Sequence, residues 1–150
     1  MAGEAGLHAD AGGAITRLRD MGIEPFLIAS SLSGVLAQRL VRCLCVHCKR
    51  RDRPTQEEQS YLVSANQPQP RLYRAAGCAQ CNGTGYAGRT GLYELLQVDD
   101  SLRQLIHDDC AESTLRDHQQ RCGESLSRDG LRKILAGETS LDEVIRVTTH

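Results

Sequence analysis

Tryptophan is absent from this 150-residue chain, and Phe26, Tyr61, Tyr73, Tyr86 and Tyr93 are all of its aromatics. A surface that stacks bases needs aromatic platforms clustered in a basic groove, so no nucleic-acid partner is expected. Lysine is scarcer still. Lys49 and Lys133 are the whole set, and neither follows a glycine nor precedes a serine or threonine. The phosphate-cradling loop G-x-x-x-x-G-K-[ST] is therefore missing, and no independent ATP hydrolysis is expected. Long apolar runs are missing too. The richest stretch, 25–41, is broken by Ser30, Ser31, Ser33, Gln38 and Arg39, which leaves no transmembrane helix. Residues 1–13 hold no basic segment followed by an apolar run, so no signal peptide is read.

What is present is the composition of an ordinary globular domain, 40% hydrophobic and 25% charged with a formal net charge of -1. The charge is unevenly placed. Residues 38–53 carry Arg39, Arg42, Lys49, Arg50, Arg51 and Arg53 against Asp52, a net of +5, while residues 94–150 are net -5. Cysteine is plentiful at seven: Cys43, Cys45, Cys48, Cys78, Cys81, Cys110 and Cys122. An odd count and the missing signal peptide argue for reduced cytosolic thiols rather than a disulfide framework.

Apolar spacing predicts a helix over 11–21 with Ile15, Leu18 and Met21 on one face and Gly22 as its stop. Pro25 fits the first turn of a short second helix, 25–31, and a buried strand follows around 35–42. Residues 50–76 read as an excursion held by a metal rather than by a core of its own, with a helix over 55–62 opened by a Thr55-x-x-Glu58 capping box. The glycine-rich stretch 82–91 reads as turns, and 92–98 as a strand. The rest is helical: one helix capped by Asp99 or Asp100, one over 112–121, one with Leu131, Ile134 and Leu135 inward and stopped by Gly137, and a last opened by a Ser140-x-x-Glu143 capping box.

Cys45-Val46-His47-Cys48 and Cys78-Ala79-Gln80-Cys81 are two C-x-x-C pairs separated by 29 residues. Two residues between thiolates let both sulfurs of a knuckle reach one ion at ~2.3 Å, and two knuckles complete the tetrahedron that Zn(II) prefers. The alternatives are buried thiols packing as small hydrophobes and a redox pair. Cys43 and His47 have worse spacing for the ion, and Cys110 and Cys122 lie on helix candidates as core or surface thiols. Four thiolates fill the coordination of Zn(II), so the expected role is structural, with Arg42, Lys49, Arg50 and Arg51 beside the resulting negative charge. Gly83-x-Gly85-x-x-Gly88 matches the dinucleotide fingerprint, but a cysteine pair and not an apolar strand precedes it. Cys78-x-x-Cys81-x-Gly83-x-Gly85 matches the zinc repeat of J-domain chaperones, while the first pair lacks such glycines. A free-standing zinc-knuckle interaction module is therefore the alternative reading, and a thiol redox protein a third.

Four blocks, in this order, resemble the C-terminal part of the type II secretion and type IV pilus assembly ATPases. They are residues 14–26; residues 34–42 leading into the first cysteine pair; the second pair with Gly85-Tyr86-x-Gly88-Arg89-Thr90-Gly91-x-x-Glu94-Leu95-Leu96; and Ser140-Leu141-x-Glu143-Val144-x-Arg146-Val147-Thr148. The resemblance implies a mostly helical α+β fragment of a RecA-like phosphate-loop ATPase. Its parts are the end of the motor domain over 1–42, a tetracysteine zinc module over 43–91 and a C-terminal helical region over 92–150. It further implies a cytoplasmic homo-hexamer peripheral to the inner membrane, in which ATP and Mg serve the complete motor. Its partners are the upstream motor half, neighbouring subunits, platform proteins of the secretion or pilus apparatus and an acidic lipid surface. Arg39, Arg42 and Arg89 are candidates for contact with a partner or a phosphate, against solvated surface or pairing with the acidic tail. The family's histidine box falls at Gly6-Leu7-His8-Ala9-Asp10; Leu7 takes the histidine's place, and His8 beside it is carried as a contact candidate. Losing upstream strands is expected to leave apolar positions such as Ile15, Leu18 and Val35 partly uncovered, with association as the consequence.

Overall fold

The computed structural model describes residues 11–62, 71–122 and 125–148. Helices α1 (Ala11–Asp20) and α2 (Pro25–Ser31) lead into strand β1 (Gly34–Leu44). Strand β2 (Arg50–Asp52), helix α3 (Gln56–Leu62), strand β3 (Leu72–Arg74) and a 3-10 turn (Ala79–Cys81) precede the long strand β4 (Tyr86–Gln97). Four helices finish the chain: α4 (Asp100–His107), α5 (Glu112–Cys122), α6 (Leu126–Ala136) and α7 (Leu141–Thr148). β1 pairs with β4 and β2 with β3, so the mostly helical α+β class read from the sequence holds. The chain divides into two compact units, Met1–Gln38 with Tyr93–Ser125, and Arg39–Leu92 with Leu126–His150.

The first unit buries Ala11, Ile15, Ile28, Ala29, Leu96, Val98, Leu102, Ile106 and Leu115 in one cluster. Charged groups tie off its helix ends. The Glu94 carboxylate, itself buried, accepts the Ala11 N–H at 2.7 Å, placing an anion at the positive end of α1. Asp99 caps α4 by accepting the Leu102 N–H at 2.7 Å. At the other end of α4, the Arg19 guanidinium donates to the carbonyls of Cys110 and Ile106 at 2.6 and 3.2 Å. Ile15 is fully buried, which corrects the expectation that it lies partly uncovered, because α5 packs on α1. Leu18 and Val35 are partly buried as expected. Among the described residues, the exposed large apolar side chains of this unit are others: Met21, Ile23, Phe26, Leu27, Leu36, Tyr93 and Leu95.

The second unit has its own cluster of Val41, Leu62, Leu72, Leu92, Leu126, Ile134, Leu141, Val144 and Val147. Leu62 and Leu72 come from the segment read as an excursion without a core, so that reading is corrected. α3 opens with the full capping box, Thr55 N–H to Glu58 Oε2 at 2.7 Å and Glu58 N–H to Thr55 Oγ1 at 3.3 Å. β2 and β3 are antiparallel, with Arg50 opposite Arg74, Arg51 opposite Tyr73 and Asp52 opposite Leu72. Arg74 then joins this hairpin to α3, donating to Asp52 at 2.6 Å and to both Glu58 oxygens at 2.9 and 2.8 Å. Those bonds pull the Glu58 carboxyl down to about 2, the Arg74 guanidinium being the main cause. Two sequence expectations change. β4 starts at Tyr86 rather than 92, because β1 gives its glycine-rich beginning a backbone partner. At α7 the Ser140 hydroxyl accepts the Glu143 N–H at 3.4 Å, but the Glu143 carboxylate turns to Arg42 and Arg146 instead of closing a box.

Candidate metal centre

The first knuckle follows directly from β1. Its turn closes when the Cys45 carbonyl accepts the N–H groups of Cys48 and Lys49 at 3.3 and 2.9 Å. The second is the 3-10 turn at Ala79–Cys81, where the Cys78 carbonyl accepts from Cys81 and Gly83 at 3.2 and 2.9 Å. Gly83 and Gly85 both take φ of +76°, a region open to glycine at little cost. That path turns the Gly85 N–H onto Cys81 Sγ at 3.2 Å, where the Cys78 N–H also arrives at 3.2 Å. A further bond, Cys45 N–H to the Gly85 carbonyl at 2.9 Å, joins the two knuckles.

These turns bring the sulfurs of Cys45, Cys48, Cys78 and Cys81 all within 4.8 Å of one another. Cys45 and Cys78 lie 3.9 Å apart, Cys48 and Cys81 3.8 Å, and Cys78 and Cys81 3.7 Å. A disulfide would need about 2.05 Å. Thiolates at ~2.3 Å around a tetrahedral ion have sulfur–sulfur edges of about 3.8 Å, so the donor set fits one such ion. Among the described residues it is the single group of this kind. Its thiols are not equivalent. Cys48 is pushed up to about 11, by burial first and by its neighbouring sulfurs, against a lowering N–H from Gly77. Burial pushes on Cys81 as well, but the N–H groups of Cys78 and Gly85 overcome it and hold this thiol near about 6.

Three of the four cations near the cysteines in sequence are engaged elsewhere. Lys49 Nζ donates to the Gly137 carbonyl at 2.7 Å and stands 4.9 Å from the Tyr73 ring centre. Arg51 donates to the Tyr73 hydroxyl at 2.9 Å. Arg42 lies 4.1 Å from the Tyr86 ring centre and donates to Glu143 Oε1 at 2.6 Å, while its backbone N–H reaches Glu143 Oε2 at 2.9 Å. Three of the four cations expected to face the thiolates therefore have other partners. Glu143 is buried, which alone would raise its carboxyl; the donors from Arg42 and Arg146 reverse that and hold it at about 2. Of the other contact candidates, Arg39 is half-buried in β1 and Arg89 is exposed on β4. His8 lies outside the described residues, as does the side chain of Cys122. His47 is exposed, and Cys43 and Cys110 are half-buried thiols apart from the cluster. Tyr73, Tyr86 and Glu143 support the site, and no local pattern shows these contacts, since their partners lie 22 to 101 residues away.

No described helix is long and apolar enough to cross a membrane. The profile of the family described as Type II/IV secretion system protein matches residues 4–146. The Type II secretion system ATPase E of Vibrio cholerae is 53% identical over 143 residues, covering 95% of this chain and 28% of that protein. The Type II secretion system protein E of Pseudomonas aeruginosa is 50% identical over 143 residues, again covering 95% and 28%. The Type IV pilus assembly ATPase PilB of Thermus thermophilus is 45% identical over 148 residues, covering 96% of this chain and 17% of the relative. The chain thus spans little more than a quarter of the length of the secretion relatives it matches. From its first helix through both cysteine knuckles to its last, this chain belongs to the Type II/IV secretion system protein family.

Proposed function

We propose that the chain is the C-terminal portion of a traffic ATPase of type II secretion or type IV pilus assembly, contributing a structural Zn(II) module and a surface for subunits or partners. The observation that carries this is the gathering of four thiols within 4.8 Å of one another inside a family match running nearly the length of the chain. Cys45, Cys48, Cys78 and Cys81 hold the ion, which has no open position and so serves as a cross-link rather than a catalyst. Catalysis belongs to the complete motor, whose phosphate loop binds ATP and Mg upstream of the residues seen here. The 150 residues contribute no such loop. The module is laid out as the end of a motor domain over 1–42, the zinc module over 43–91 and a helical region over 92–150. Met21, Phe26, Leu27, Leu36, Tyr93 and Leu95 supply exposed apolar area for the upstream half or a neighbouring subunit of a homo-hexamer. Exposed Arg89 and the half-buried Arg39 are the candidates for contact with a partner or a phosphate, and the assembly works on the cytoplasmic face of the inner membrane beside its platform proteins.

Two measurements test this. Elemental analysis with thiol counting is expected to find one zinc and four protected thiols per chain. ATP turnover is expected to be absent from the chain alone and to appear when it is mixed with the upstream half of such a motor. Metal-free reduced chain that keeps its fold would remove the zinc module, and turnover by the chain alone would remove the fragment reading. Indifference to the upstream half would favour a free-standing zinc-knuckle module.

A further inference from the structure

The connection between α6 and α7 is bonded, residue by residue, to positions flanking the cysteine knuckles. The Gly137 carbonyl accepts Lys49 Nζ at 2.7 Å, and Lys49 directly follows Cys48. The Glu138 carbonyl accepts the Leu44 N–H at 2.8 Å, and Leu44 directly precedes Cys45. Thr139 Oγ1 donates to the Arg42 carbonyl at 2.7 Å. Ser140 Oγ meets the Tyr86 hydroxyl at 2.8 Å, and Tyr86 directly follows Gly85, whose N–H is on Cys81 Sγ. Space as well as polarity is matched: a Cβ on Gly137 would stand 2.7 Å from the Tyr73 ring. One turn into α7, Glu143 closes on the backbone and guanidinium of Arg42 at 2.9 and 2.6 Å.

We propose that the four-cysteine metal centre sets the position of the 137–140 connection and thereby docks α7, so that metal occupancy and the docking of the C-terminal helix are coupled. The inference rests on the metal reading given above. Its physical basis is that Lys49, Leu44 and Tyr86 hold the connection only while both knuckles are fixed to each other. Without an ion, no coordinate bonds cross-link the four sulfurs that lie within 4.8 Å of one another, and the glycines of the second knuckle regain much conformational freedom. The bonds to Gly137, Glu138 and Ser140 then have no fixed counterpart. Coupling of this kind is reciprocal, so loosening α7 at a point remote from sulfur loosens the ion.

Hydrogen exchange on the full 150-residue chain tests this, with zinc counted on the same samples before and after stripping by a chelator. Stripping is expected to speed exchange across 137–148 by about tenfold or more, within the range of ordinary coupling, and to leave α4 in the other unit unchanged. Tyr86→Phe and Glu143→Gln are expected to bind one zinc and to release it to a competing chelator about fivefold faster. Should Glu143→Gln not fold, Tyr86→Phe carries the release measurement alone. A chain that never holds zinc overturns both the metal reading and the coupling. One zinc with equal protection of 137–148 in loaded and stripped protein overturns the coupling and leaves the metal reading standing. Equal acceleration in α4 also overturns it, since the ion would then stabilise the chain as a whole.

Discussion

Gly83 and Gly85 share a backbone angle of +76° but not an environment, and the difference decides what each tolerates. A Cβ on Gly83 meets nothing within 4 Å, whereas one on Gly85 stands 2.6 Å from Ala75 Cβ and 2.9 Å from Ala75 Cα. Gly83→Ala is therefore expected to cost only the left-handed penalty, about 1 kcal/mol. Gly85→Ala adds about 1–3 kcal/mol of overpacking and displaces the N–H held on Cys81 Sγ. Urea unfolding and zinc competition on the two variants check the contrast; equal effects would refute the steric account. Glu58 makes a second prediction, through acidity. Its folded carboxyl titrates at about 2, below the ordinary value of about 4.3, so the native state holds fewer protons than the unfolded one between those values. The stabilisation by Arg74 is then fully present above about pH 5 and disappears as pH falls toward 2. Glu58→Gln is expected to lose about 1 kcal/mol at neutral pH, modest because Arg74 is partly exposed, and nothing near pH 2. Comparing the two chains at matched pH cancels any metal contribution, and a gap that persists in acid would contradict the pairing.

Among the elements, α6 and α7 show how packing overrides helix propensity. Gly130 sits inside α6, where alanine would normally stabilise by about 1 kcal/mol. Here its Cβ would stand 2.4 Å from Val144 Cγ1, and Val144 is buried in α7 with a stiff branched side chain. Gly130→Ala is expected to destabilise by about 1–3 kcal/mol, and the added change Val144→Ala to recover part of that loss. Thermal unfolding of the single and double variants gives the sign; a more stable single variant would show that the helices separate freely. Element reading from sequence was good where the signal is local. α2 runs from Pro25 to Ser31 as expected, α3 has its capping box, and Asp99 caps α4. It failed at β2, β3 and the first half of β4, because a three-residue strand has no period to read and a glycine-rich strand looks like turns until its partner is known.

For the whole molecule, the chain forms two units with separate cores. The first unit exposes Met21 at 72%, Phe26 at 59% and Leu36 at 63%. Light scattering is expected to show concentration-dependent association of the chain, weakened by Phe26→Ser with Leu36→Ser; a monodisperse monomer at high concentration would speak against an interface there. The candidate site was legible as far as its four cysteines, because C-x-x-C puts two thiols on one turn and needs no distant information. The sequence by itself determined the four cysteines, the capped helix starts and the family blocks, all set by chemistry within a few residues. Only the tertiary structure decided that Ile15 is buried, that Arg42 answers to Glu143, and that Lys49 and Tyr86 hold the α6–α7 connection. Those partners lie 54 to 101 residues apart where they are hydrogen-bonded, and no local preference encodes a contact that exists only after the chain has closed on itself.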